Sequence, residues 1–139
     1  MRAEAQQPPE LFLDRSLGRY GVADALREAG YIVHTMADVY GEGEEQRIKD
    51  EVWLRRCADE GWVALMKDDR IRRRPAEILA VEESGVQAFC LTNGNLKLDE
   101  MCDWFLSNIH RIIQRSRRPG PFVDGVYADR VERLWSPPD

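Results

Sequence analysis

Apolar positions along the chain fall into short continuous runs separated by longer segments with helical spacing. The first run, LFL at 11–13, is closed by Asp14. Residues 21–30 then place Val22, Ala25, Leu26 and Ala29 on one helical face, with Gly30 as a stop. Residues 31–36 (YIVHTM) are rich in strand formers. Residues 44–61 read as a helix stopped by Gly61, and 62–67 (WVALMK) as an apolar strand. Pro75 suits the first turn of a helix over 75–85, which Gly85 ends, and 86–93 (VQAFCLTN) is the next strand. Over 98–113 the residues Leu98, Met101, Cys102, Phe105, Ile109, Ile112 and Ile113 make a wide stripe, which predicts one amphipathic helix. After the break RRPGP, residues 122–135 supply a last strand or two.

Strands and helices therefore alternate, and the early strands are apolar throughout rather than at every second position. That pattern belongs to an α/β fold with a mainly parallel sheet of about five strands, covered on both faces by crossover helices. Residues 11–139 read as a single domain, and 1–10 as a loose, flexible N-terminal tail.

Composition narrows the class. With 139 residues the chain can bury a real core, and 43% hydrophobic with 32% charged residues is ordinary for a soluble globular protein. No apolar run approaches the roughly 20 residues of a membrane span. The N-terminal ten residues lack a signal core, and the three cysteines, Cys57, Cys90 and Cys102, have no CxxC spacing and sit in apolar segments. Buried thiols and a cytoplasmic location follow as expectations. The net charge of −5 does not point to nucleic acid, but its distribution is uneven: 38–51 is acid-rich, while 70–74 and 111–118 are basic. An acidic total is compatible with a basic groove.

The chemistry concentrates at strand ends. In parallel sheets the working site lies at the carboxyl edge, and two runs there end in aspartate: LFLD at Asp14 and LMKD at Asp68. Asp50 shares the i, i+3, i+4, i+7 face of Trp53, Leu54 and Cys57, whereas Glu51 points about 100° away. Ile48 and Val52 fall off that face. Three carboxylates converging on one edge repel one another unless a cation neutralises them, and hard oxygen ligands suit Mg²⁺ or Mn²⁺. Arg70, Arg72, Arg73 and Arg74 follow Asp68 at once and are placed to hold phosphate, as are Arg117 and Arg118. The competing explanation for each acid is a helix cap or solvated surface; Asp14 in particular is placed to cap the turn that begins RSLG.

Read in order, FLDRSLG, DEVWLRRCADEGW, LMKDDRIRRRP and FCLTNGNL resemble the PIN-like nuclease family, closest to the VapC class of toxins from bacterial toxin–antitoxin pairs. The resemblance runs from about residue 11 to 135. It implies a three-layer α/β/α sandwich and Mg²⁺-dependent endoribonuclease activity. It carries the family's acids onto Asp14, Asp50 and Asp68 as catalytic and metal-binding residues. Asp69, Glu51, the acids of GEGEE or the amide of Asn93 are candidates for a further ligand, and Met66 stands where many relatives have Thr or Ser. A cognate antitoxin, an RNA substrate and a homodimer are the partners the resemblance implies, with no membrane.

Two other classes fit parts of the pattern. A phosphoacceptor receiver domain also ends strands in aspartate, and Thr92 suits its hydroxyl position, but it requires an acidic pair after the first strand and a lysine after the fifth. A metal-free PIN-like binding module would use the acids only as caps. His34 and His110 have no ligand-like partners in the sequence, and GEGEE lacks the Lys-Ser/Thr of a phosphate loop.

Overall fold

The structure, a computed structural model, describes residues 7–67 and 74–138. Its strands are β1 (Leu11–Leu13), β2 (Val33–Thr35), β3 (Val63–Met66), β4 (Gln87–Leu91), β5 (Phe122–Val126) and β6 (Val131–Trp135). Its helices are α1 (Gly21–Glu28), α2 (Met36–Tyr40), α3 (Asp50–Glu60), α4 (Pro75–Ser84), α5 (Leu98–Ser107) and α6 (Ile109–Arg115). The strands form one sheet in the order β2-β1-β3-β4-β5-β6. All neighbouring pairs are parallel except β5 and β6, which are antiparallel.

The continuous apolar runs are explained by two cores. Leu11, Leu13, Val63, Leu65, Phe89 and Leu91 point to one face, where α1, α5 and α6 cover them. Phe12, Ala64, Met66, Ala88 and Cys90 point to the other, under α3 and α4. A strand buried on both faces needs no polar alternation. On the second face Phe12 stacks with Trp53 (5.5 Å between centroids) and Trp62 (5.9 Å), and Trp62 stacks in turn on His34 (3.9 Å). The expected α/β/α layering is present.

Several boundaries differ from the sequence expectation. The count of about five strands is one short, because 122–135 fold into a hairpin whose turn is closed by Tyr127 N–H donating to the Arg130 carbonyl (2.8 Å). The helix expected over 44–61 starts at Asp50, after a 3₁₀ turn at Glu45–Arg47. Ile48 therefore precedes the helix, and its apparent conflict with the Asp50 face disappears. The helix expected over 98–113 breaks at Asn108. Its buried side-chain amide donates to the Trp104 carbonyl (2.8 Å), the acceptor an unbroken helix would give to the Asn108 N–H, which bonds the Phe105 carbonyl (3.2 Å) instead; the amide also donates to the Tyr127 carbonyl (2.7 Å) at the β5–β6 turn. Strand 31–36 shortens to three residues because Thr35 caps α2 in a reciprocal pair with Asp38. The fold also begins before Leu11: the Glu10 carbonyl accepts from Val63 N–H (2.9 Å), and the Glu10 carboxylate reaches His34 (2.7 Å).

Candidate active site

β1 ends by delivering Asp14 to the carboxyl edge of the sheet. Its Oδ1 accepts from Arg15 N–H (2.7 Å), which caps the 3₁₀ turn Arg15–Leu17, and its Oδ2 accepts from the Ser16 hydroxyl (2.9 Å). The capping and site readings of Asp14 are thus compatible. The Ser16 oxygen also accepts from Lys67 N–H (3.2 Å), so one hydroxyl ties the end of β1 to the end of β3 and orients the carboxylate. Burial pushes the Asp14 carboxyl above its ordinary value. The bonds from Ser16 and Arg15 oppose that rise, and the nearby charge of Asp50 adds to it.

Asp50 opens α3, where the helix dipole favours a carboxylate. Its Oδ1 accepts from the indole N–H of buried Trp53 (3.0 Å), and an Arg15 guanidinium nitrogen lies 3.8 Å away. The other terminal nitrogen of Arg15 donates to the carbonyls of Glu45 (2.8 Å) and Ile48 (2.7 Å). Arg15 therefore holds the segment that leads into α3 against the end of β1.

Asp14, Arg15, Ser16, Asp50, Trp53, Met66, Arg74 and Glu77 line one open cleft. Glu77 is an acid that the sequence reading passed over. It sits in the first turn of α4, which starts at the same sheet edge, and it pairs with Arg74 at 3.2 Å. The signal available was position alone: an acid at the third position of a helix that follows a strand.

Other candidates fall elsewhere. Glu51 is exposed and does not line the cleft. Asn93 is exposed and its side-chain oxygen accepts from Asn95 N–H (2.8 Å), a local turn. Glu45 of GEGEE is buried and ion-paired to Arg19 (2.8 Å). Arg117 and Arg118 are corrected from the phosphate-binding set. The Gln87 amide, at the start of β4, bonds the carbonyls of Ser116 and Arg118, so this run lies at the opposite edge of the sheet. Arg115 is committed to the buried Asp124, which also binds Arg133. Asp68, Asp69, Arg70, Arg72 and Arg73 lie outside the described residues.

Among the described residues no three carboxylate, histidine or cysteine side chains come close enough together to hold a metal ion. Two carboxylates are nevertheless compatible with Mg²⁺, which commonly takes one or two, together with waters and substrate phosphate. The oxygen-only donors and the burial of Asp14 beside a second negative charge suit a hard cation. Cys57 and Cys90 are buried, and burial pushes the Cys57 thiol up, which makes it a core residue rather than a ligand.

The PIN like domain family model matches residues 9–93, a stretch that begins before β1 and extends past β4. It contains Asp14, Asp50 and the intervening topology. The chain belongs to the PIN-like domain family. A relative from Mycobacterium tuberculosis, named "Putative ribonuclease VapC45", is 32% identical over 124 residues, covering 89% of this chain and 90% of its own length. The sequence resemblance to the VapC class of PIN-like proteins is thereby borne out. No solved structure matches the chain significantly. The receiver reading falls with the family match, and the Thr92 hydroxyl is used on the Val126 carbonyl (3.1 Å). Among the described residues no helix is long and apolar enough to cross a membrane.

Proposed function

We propose that this PIN-like protein is a Mg²⁺- or Mn²⁺-dependent endoribonuclease, the toxin of a toxin–antitoxin pair, with residues 11–139 acting as one nuclease domain in the cytoplasm. The observation that carries the reading is the pairing of Asp14 and Asp50 in one cleft at the carboxyl edge, with Asp14 raised by burial and by its neighbour. The name of the 32% identical relative supports RNA as the substrate.

Asp14, Asp50 and Asp68 would hold the metal, which would supply Lewis acidity to lower the pKa of a water and to offset phosphodiester charge. Ser16 keeps the Asp14 carboxylate turned to the cleft, and the Trp53 indole does the same for Asp50. Arg74, on the cleft wall, and Arg70, Arg72 and Arg73 bind flanking phosphates and give affinity without base information. Asp69 is a further ligand candidate, and Glu77 joins it on position. A growth-inhibiting nuclease needs restraint, and a cognate antitoxin arginine entering among the carboxylates would displace the metal. The protein works as a homodimer.

Incubating purified protein with total cellular RNA, with Mg²⁺ or with EDTA, and mapping new 5′ ends tests this. Cleavage that requires Mg²⁺ and disappears in Asp14→Asn is the expected result. No cleavage, together with no binding of Mn²⁺ in a calorimetric titration, would leave the acids as caps of a metal-free binding module.

A further inference from the structure

The carboxyl edge continues beyond the acid cleft into two more hollows. Arg15 lines both the cleft and the next hollow, which it shares with Leu13, Met36 and Glu45. Arg19, Thr35 and Ala37 line that hollow and also an outer one, whose other walls are Tyr20, Arg27, Asp38 and Glu42. The three depressions therefore follow one another over the ends of β3, β1 and β2, which are successive neighbours in the sheet. Strands lie about 5 Å apart, so the outer hollow is within reach of a nucleotide adjoining one whose phosphate occupies the cleft.

The outer hollow differs chemically from the cleft. Its two cations are already matched: Arg19 pairs with Glu45 and Arg27 with Asp38, each at 2.8 Å. Glu42 adds another carboxylate to the wall. Such a surface gives a phosphate no net attraction, yet it presents fixed donors and acceptors side by side, which is what a base edge requires. Tyr20 stands at its rim with 64% of its surface exposed, the most exposed of the large hydrophobic residues among those described. The Arg19 guanidinium lies beside it on the same wall. An exposed aromatic beside a polar hollow whose cations are already paired is a stacking platform for a single-stranded base.

We propose that the hollow formed by Tyr20, Arg19, Arg27, Asp38 and Glu42 is a nucleobase subsite. It receives a base flanking the scissile phosphate, stacks it on Tyr20 and contacts its edge through the paired arginine and carboxylate groups. This rests on the ribonuclease reading for its substrate and adds a source of sequence preference that phosphate contacts cannot supply.

The test is binding of short 2′-O-methyl oligoribonucleotides, which are not cleaved, in EDTA to wild type, Tyr20→Ala and Tyr20→Phe, each checked by thermal melting. Loss of one stacked base weakens binding roughly 5-fold or more, so Tyr20→Ala should bind that much more weakly and Tyr20→Phe close to wild type. In Mg²⁺, Tyr20→Ala should also blur the preferred cleavage positions. Equal affinity of wild type and Tyr20→Ala overturns the subsite, as does equal impairment of the Ala and Phe variants, which would assign the effect to the hydroxyl. Wild-type binding that depends on Tyr20, without cleavage in Mg²⁺, refutes the nuclease reading and leaves the subsite standing.

Discussion

Arg15 reaches across to Asp50 at 3.8 Å while the same guanidinium clasps the carbonyls of Glu45 and Ile48. One side chain thus anchors the chain segment that aims the second acid at the first. Charge-assisted bonds of this kind contribute about 1.5–3 kcal/mol each. Arg15→Ala should lower stability by about 2–3 kcal/mol and reduce activity further than that loss of folded protein explains. Arg15→Lys keeps the charge but not the planar fork, so it should recover little. Melting curves and turnover of the folded fraction check this. Wild-type turnover in Arg15→Ala would show that Asp50 needs no such anchor.

Asp14 should trade stability for function. Its folded-state pKa is raised, chiefly by burial, so the fold favours the protonated form. The stabilisation from that preference is complete below the ordinary carboxylate value and is lost as pH rises through the folded value. In EDTA, Asp14→Asn should therefore melt above wild type at neutral pH, and the gap should close on acidification toward pH ~4. Mn²⁺ should raise the wild-type melting temperature and leave the variant unmoved. A gap that widens in acid would reverse the assigned sign.

Asp50 and Glu51 are adjacent, but only Asp50 lines the cleft. Asp50→Ala should cut RNA cleavage by orders of magnitude, and Glu51→Ala should change it little. Comparing initial rates on one substrate preparation decides it; the reverse ranking would remove Asp50 from the site.

The arginines after Asp68 should bind backbone rather than bases. Each lost contact to single-stranded RNA lowers the salt slope of log K by about 0.7. Arg72→Ala combined with Arg73→Ala should weaken binding broadly and flatten that slope by roughly 1.4, without moving the cleavage site. An unchanged slope with a lower melting temperature would assign them a structural role.

Asp124 is fully buried between Arg115 and Arg133. Removing one partner of a buried ion network costs about 3–5 kcal/mol. Asp124→Asn should fall near the lower bound, since both arginines keep partial solvent contact, and should leave Mn²⁺ affinity of the folded protein intact. Calorimetry on the same sample measures both.

Much of this molecule is readable from local signals. Gly61 and Gly85 stop α3 and α4 in the left-handed conformation that glycine tolerates, and the apolar runs reveal the doubly covered sheet. The helical phase of Asp50 with Trp53, Leu54 and Cys57 carries through into the fold, where the three partners are buried. What stayed hidden depends on distant backbone. Nothing around Asn108 announces that its amide will bond Tyr127, nineteen residues on, and split an unbroken apolar stripe. Arg15 looks like one more surface cation until its carbonyl partners, thirty or more residues away, come into place. Charge runs mislead for the same reason: 111–118 is basic in sequence, yet its members are divided between a buried carboxylate and the far edge of the sheet.

The sheet's two borders have a consequence for assembly. β2 is only three residues long before Thr35 turns the chain into α2, and β6 carries exposed Glu132 and Arg133 and runs into Pro137 and Pro138. Short, charged and proline-terminated margins resist strand addition from another molecule. Two copies of this chain therefore have no ready route to fuse their sheets into one continuous ribbon, and the ribbon stays finite.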